Sequence, residues 1–104
     1  LGASELAQMK PGAILVNTSR APLVDETALI AAAREFRVVA ALDVFEREPL
    51  PPGHPLLACP NTVLTPHLGY SVHEVYRSFY TQCVENALAW LDGSPVRLLP
   101  PPSP

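Results

Sequence analysis

The fold is decided by the stretch Val38-Val39-Ala40-Ala41-Leu42-Asp43-Val44-Phe45-Glu46-Arg47-Glu48-Pro49. Its first five residues are an unbroken apolar run rich in β-branched side chains, the pattern of a strand covered on both faces. Asp43 follows directly, and Glu46 and Glu48 come within the next few residues before Pro49 restrains the backbone. Ligands of open α/β sheets gather at the carboxyl ends of the strands. Acidic groups placed there are candidates for chemistry.

Two further stretches have the same form. Ala13-Ile14-Leu15-Val16 leads into Asn17-Thr18-Ser19-Arg20, and Thr62-Val63-Leu64 leads into Thr65-Pro66-His67-Leu68-Gly69. Between the first two apolar runs, Asp25 reads as the N-cap of a helix through about residue 36, with Glu26 in its first turn and Leu29, Ile30, Ala33 and Phe36 on its apolar face. A strand–helix–strand unit of this kind predicts a parallel pair. Residues 18–23 read as a loop, because Pro22 lacks a donor and keeps Ala21 extended. Residues 48–60 carry five prolines and are expected to wrap the surface rather than pair in a sheet.

At the ends of the chain, residues 4–10 read as a short helix stopped by Pro11-Gly12. Ser71-Val72-His73-Glu74 has the form of a capping box opening a long helix to about residue 92, with Gly93 as its stop. Val72, Val75, Tyr76, Phe79, Cys83, Ala87, Trp90 and Leu91 recur along it at helical spacing, a stripe broad enough to pack on something beyond a small domain. Residues 99–104 are proline-rich and expected to be disordered. The expected class is α/β: a parallel sheet with flanking helices and a long C-terminal helix.

The whole chain limits the functional classes. Its 104 residues suffice for one small core. The first residue is Leu1 and the opening helix reads as entered partway, so a piece of a longer polypeptide is expected. A net charge of -3, with 16% charged residues and no basic stripe, does not indicate nucleic acid or an anionic membrane. No apolar stretch approaches the ~18 residues of a transmembrane helix. Cys59 and Cys83 lack metal spacing and read as free thiols in a reducing, cytoplasmic setting. His54 and His73 read as surface groups, and no spacing among the histidines suggests a metal.

The chemistry therefore concentrates on three side chains. Arg20 offers a planar fork that can hold a carboxylate by two hydrogen bonds, although an arginine in a loop is commonly just a solvated charge. His67 carries an imidazole, the side chain suited to exchanging a proton near neutral pH, although a lone histidine in a turn is commonly structural. Glu48 could stabilise its imidazolium if the two meet. Asp43 could take the amide of a ligand or assist the same histidine. The glycines, at positions 2, 12, 53, 69 and 93, form no G-x-G-x-x-G, so this chain carries no pyrophosphate-binding loop of its own.

On four blocks in order and at matching spacing, the sequence resembles the D-isomer-specific 2-hydroxyacid dehydrogenases. The blocks are residues 9–20, residues 23–29, Ala41-Leu42-Asp43-Val44-Phe45 through Glu48-Pro49, and Thr65-Pro66-His67-Leu68-Gly69. The resemblance implies that residues 1–98 are the C-terminal portion of an NAD-binding Rossmann domain, within a two-domain cytoplasmic enzyme that forms a homodimer. It implies hydride transfer between NAD, with NADP left open, and a small 2-oxo or 2-hydroxy acid. Arg20 would hold the substrate's carboxylate and keto oxygen, His67 would be the acid/base, and Glu48 would keep its imidazole poised. Asp43 would sit by the nicotinamide carboxamide, while Thr18, Ser19 and Gly69 would line the cofactor site together with Arg20 and His67. The family usually has Gly where this chain has Ala21, which predicts a small local change. The alternatives are an NAD-sensing, corepressor-like binding protein and an inert truncated product.

Overall fold

The computed structural model describes residues 1–100; most of the proline-rich tail expected to be disordered, residues 101–104, lies outside them. The chain divides into two compact units, residues 1–69 and a second beginning at Tyr70.

In the first unit, α1 (Ala3–Gln8) precedes β1 (Ala13–Asn17), α2 (Glu26–Arg34), β2 (Val38–Leu42) and β3 (Thr62–Leu64). The strands form one parallel sheet in the order β1-β2-β3. Asp25 caps α2 as its sequence suggests, its side chain accepting from the Ala28 amide at 2.9 Å. Leu29 and Ala33 of that helix are buried together with Leu6, Leu15, Val38 and Leu42, so the core lies between the helices and one face of the sheet.

The opposite face differs from the expectation of a strand covered on both sides. Val38, Ala40 and Leu42 are buried, but Val39 and Ala41 are only half-buried. The flanking Ile14, Val16 and Val63 are 67, 64 and 60% exposed. The apolar run is thus long enough for two covered faces, and residues 1–69 supply cover for one.

Helix α2 ends earlier than its apolar spacing suggests. The Phe36 amide donates to the Ala33 carbonyl at 3.0 Å and the Arg37 amide to the Ala32 carbonyl at 3.0 Å, a Schellman closure. That closure puts Phe36 at φ +58° and leaves it 62% exposed rather than on the apolar face; Ala32 is buried instead. Two short segments read as loops contain 3₁₀ turns, Ala21–Leu23 and Pro55–Ala58. Ala21 takes the helical conformation there, which any L-residue adopts, so a glycine is not needed at this position. His54, read as a surface group, is partly buried. Its Nδ1 accepts from the Leu56 amide at 3.3 Å, and its Nε2 lies 3.2 Å from Glu26 Oε1.

The second unit is built on α3 (His73–Leu91). Its N-cap is Val72, with no side-chain cap bond, so the predicted capping box does not form. The helix starts one residue later than a Ser71 cap requires, and the Ser71 hydroxyl lies 3.4 Å from the Tyr76 hydroxyl instead. The C-terminal stop is as read: Gly93, at φ +72°, closes a second Schellman motif through Gly93 N–H to Trp90 O and Ser94 N–H to Ala89 O. None of α3 is buried, and its apolar stripe, including Phe79, Trp90 and Leu91, is exposed.

Phe36 gives a direct stability test. A bulky L-residue in the left-handed region costs about 1–2 kcal/mol that glycine does not pay. Phe36→Gly is expected to raise stability by about 1 kcal/mol in urea unfolding, with an unchanged slope. A loss of stability instead would show that the Phe36 ring contributes more packing than its exposure indicates.

Candidate active site

The site follows from strand register. Asn17 is paired with Leu42, and Leu42 with Leu64, so all three strands end level. The ladder continues one step further, with Asp43 N–H donating to Asn17 O and Thr65 N–H to Leu42 O, each at 3.0 Å. The loops after the strands therefore leave from one edge, the carboxyl edge on which ligands of parallel sheets bind.

The first loop is folded by Asn17, a buried polar residue whose part sequence reading missed. Its Oδ1 accepts from the Ser19 amide at 3.1 Å, and its Nδ2 donates to the Arg20 carbonyl at 2.9 Å. This is an Asx-type turn, and the signal for it was an Asn at the last strand position before Thr-Ser. Arg20 emerges exposed from it, with Nη1 donating to the Ser19 carbonyl at 2.7 Å.

The second loop carries Asp43 and Glu48. Asp43 is 4% exposed, and its carboxylate takes three donors. Oδ1 accepts from Thr65 Oγ1 at 2.5 Å and from the Leu68 amide at 2.8 Å, while Oδ2 accepts from the Gly69 amide at 2.8 Å. The Thr65 hydroxyl first, then the Leu68 amide, hold this carboxyl below its usual range against the cost of desolvation. Glu48 is held at both oxygens: Oε1 accepts from the Phe45 amide at 2.9 Å, and Oε2 lies 2.7 Å from His67 Nδ1. Its hydrogen bond with His67, and then that with Phe45, lower its pKa as well. The Glu48–Pro49 peptide is cis.

The third loop presents His67 at φ +55°, its side chain 36% exposed. A methyl group at Gly69 would lie 3.1 Å from Asp43 Oδ2 and 3.9 Å from Thr18 Cβ. The bare glycine therefore keeps the edge open between those two side chains. Arg20, Glu48 and His67 line one concavity of about 490 Å³, together with Ala21, Phe45 and Glu46. A second concavity of about 390 Å³, more apolar, lies beside it against Leu50, Leu64 and Pro66, and shares His67 and Glu48 as a wall.

The structure thus gathers the predicted residues in two groups: Arg20, Glu48 and His67 around the charged concavity, and Thr18, Asp43 and Gly69 at the strand ends. Ser19 enters through its backbone, in the turn that carries Arg20. Among the described residues, no group of three His, Cys, Asp or Glu side chains could hold a metal ion. Cys59 is buried and Cys83 exposed, both free, and no helix among those residues is long and apolar enough to cross a membrane.

The parallel sheet thus carries an imidazole, a carboxylate and a guanidinium on its carboxyl edge. The sequence model described as D-isomer specific 2-hydroxyacid dehydrogenase, NAD binding domain, matches residues 1–69, and the chain belongs to that family. It is 49% identical over 94 residues to glyoxylate/hydroxypyruvate reductase B of Escherichia fergusonii, covering 89% of this chain and 29% of that protein. The chain therefore spans about three tenths of the length of the curated relatives it matches. A D-isomer specific 2-hydroxyacid dehydrogenase from Xanthobacter autotrophicus, solved with NADPH and MES, superposes with a TM-score of 0.68 at 46% identity, over 91% of this chain and 39% of that one. A D-lactate dehydrogenase from Lactobacillus jensenii, solved with NAD+, superposes with a TM-score of 0.82 at 28% identity, over 98% and 35%.

The lowered carboxylates set a pH dependence. For a group whose folded pKa is depressed, the stabilisation is full above the unfolded value and is lost as pH falls through the folded one. Asp43 and Glu48 are both of this kind. Stability is expected to fall as pH drops below the ordinary carboxylate range of about 4, and this acid limb should flatten in Asp43→Asn and Glu48→Gln. Urea unfolding at a series of pH values measures it; parallel acid limbs in wild type and both variants would contradict the assignment.

Proposed function

We propose that this chain is the C-terminal portion, residues 1–98, of the nucleotide-binding domain of an NAD(P)-dependent oxidoreductase that interconverts a small D-2-hydroxy acid and its 2-oxo acid. The observation that carries the reading is the 2.7 Å contact of His67 Nδ1 with Glu48 in a concavity that Arg20 also lines. Family membership and its dehydrogenase relatives support the same class of reaction. The phosphate-binding loop and the substrate domain are then supplied by other parts of a longer polypeptide, which we take to be a cytoplasmic homodimer. The apolar sheet face of Ile14, Val16 and Val63 fits this, since a doubly wound sheet carries helices on both faces.

The edge at Thr18, Asp43 and Gly69 fits a nicotinamide cofactor, because Gly69 leaves it open where a side chain would fill it. When bound, that cofactor supplies or takes up the hydride at the substrate's C2. The proton transfer and the grip on the substrate's carboxylate fall to this chain's residues. Arg20 holds the carboxylate by its planar fork and faces the keto oxygen as negative charge builds there. His67, its Nδ1 held by Glu48, gives its proton to that oxygen in reduction and takes it back in oxidation. Glu48, fixed by the Phe45 amide at one oxygen, keeps the ring's orientation with the other. The 2-oxo acids to try first are glyoxylate, hydroxypyruvate and pyruvate, and either NADH or NADPH could be the partner.

The test uses the full polypeptide that carries this chain. Multiple-turnover oxidation of NADH or NADPH with one of these acids is expected. His67→Gln should lower kcat by about 10²–10⁴-fold, and Arg20→Gln should both raise KM for the acid and lower kcat. Stoichiometric cofactor binding without turnover would replace the enzyme by a nucleotide-sensing binding protein.

A further inference from the structure

The geometry points to Thr65 and Asp43 acting together as positioning residues for His67, clamping its loop in the one backbone conformation that keeps Nδ1 on Glu48. This rests on the reading of His67 as the acid/base, and adds to it a residue, Thr65, that this reading does not use.

His67 stands at φ +55°. A non-glycine residue persists in that region only when its surroundings over-determine it. The determinants are visible on both sides of the residue. Before it, the His67 amide donates to the Thr65 carbonyl at 3.0 Å. After it, the Leu68 and Gly69 amides both donate to Asp43, an arrangement of successive N–H groups that suits an anion. Thr65 closes the ring, because its hydroxyl donates to the same Oδ1 that receives the Leu68 amide. One carboxylate thus fastens the residue two before His67 and the two that follow it. Turning His67 to a negative φ would swing at least one of these donors off the buried Asp43, leaving a desolvated charge short of partners.

The hydrogen-bond count separates this role from a cofactor contact. A carboxylate has about four lone-pair sites. Thr65 and Leu68 occupy Oδ1 and Gly69 takes one site on Oδ2, so Oδ2 is the oxygen with capacity for a ligand's amide. Thr65 touches only the other oxygen. Removing its hydroxyl therefore disturbs the clamp without touching the atom that could meet a cofactor.

Thr65→Val removes the hydroxyl at nearly constant shape, and Thr65→Ser keeps it. In the full polypeptide, Thr65→Val is expected to lower kcat about tenfold or more, the scale of one lost hydrogen bond to a charged group. The KM for the nicotinamide cofactor should stay within about twofold, since uniform cofactor binding is untouched. Thr65→Ser should restore most of kcat. Amide hydrogen exchange at Leu68 and Gly69 should quicken in Thr65→Val and not in Thr65→Ser. Wild-type kcat in Thr65→Val, equal losses in both variants, or a raised cofactor KM with unchanged kcat would each overturn the proposal. If the unsubstituted protein turns over none of the acids, the parent reading has failed. The clamp is then judged by amide exchange alone, and unchanged exchange in Thr65→Val refutes it.

Discussion

The site depends on the equal termination of three parallel strands. Pairing of Asn17 with Leu42 and of Leu42 with Leu64 brings the loops out at one height, so residues 20, 48 and 67 can share a concavity although 47 positions separate the first from the last. Because side chains alternate along a strand, a slip of one residue in β3 would send its set to the opposite face. The buried Val38, Ala40 and Leu42 resist such a slip in the central strand, since moving them would expose the core. Register is therefore fixed by burial on one face of the sheet, and the chemistry at its edge inherits that precision.

Much of this was legible in the chain. The run from Val38 to Leu42 announced a strand, and Asp25 announced the helix that makes the β1–β2 pair parallel. Apolar strands ending at Asn17, Leu42 and Leu64 placed the polar stretches after them on one edge. What escaped the sequence was set by backbone geometry or by a single-residue shift. Phe36 has the right spacing for the apolar face of α2, but the helix closes two residues earlier and turns it outward. Ser71 and Glu74 have capping-box spacing, but a start at His73 puts the hydroxyl out of reach of the orphan amides. His54 looked like a surface group because its partners, the Glu26 carboxylate and the Leu56 amide, are brought to it by the fold of the proline loop.

Asp43 was the most instructive case. Its position directly after a buried strand marked it as important, yet position alone could not say whether it meets a ligand or the protein itself. Its burial decides much of the question. A carboxylate that is 4% exposed must be nearly saturated with donors, and the donors are Thr65 and the amides of Leu68 and Gly69. The charge is solvated by hydrogen bonds from the loop it organises.

Exposure then rises along the edge, from Asp43 at 4% to the Glu48 and His67 side chains at 35 and 36%. That gradient suits the role proposed for each group. A carboxylate used to shape backbone works best where water cannot compete for its donors. An imidazole proposed to exchange a proton has to reach a ligand, which partial exposure allows. Glu48 stands between these limits, fixed by the Phe45 amide on one oxygen and turned toward the imidazole with the other. The two carboxylates are therefore not interchangeable. Loss of Asp43 should loosen the conformation of the His67 loop, whereas loss of Glu48 should leave that loop in place and free only the orientation of the ring.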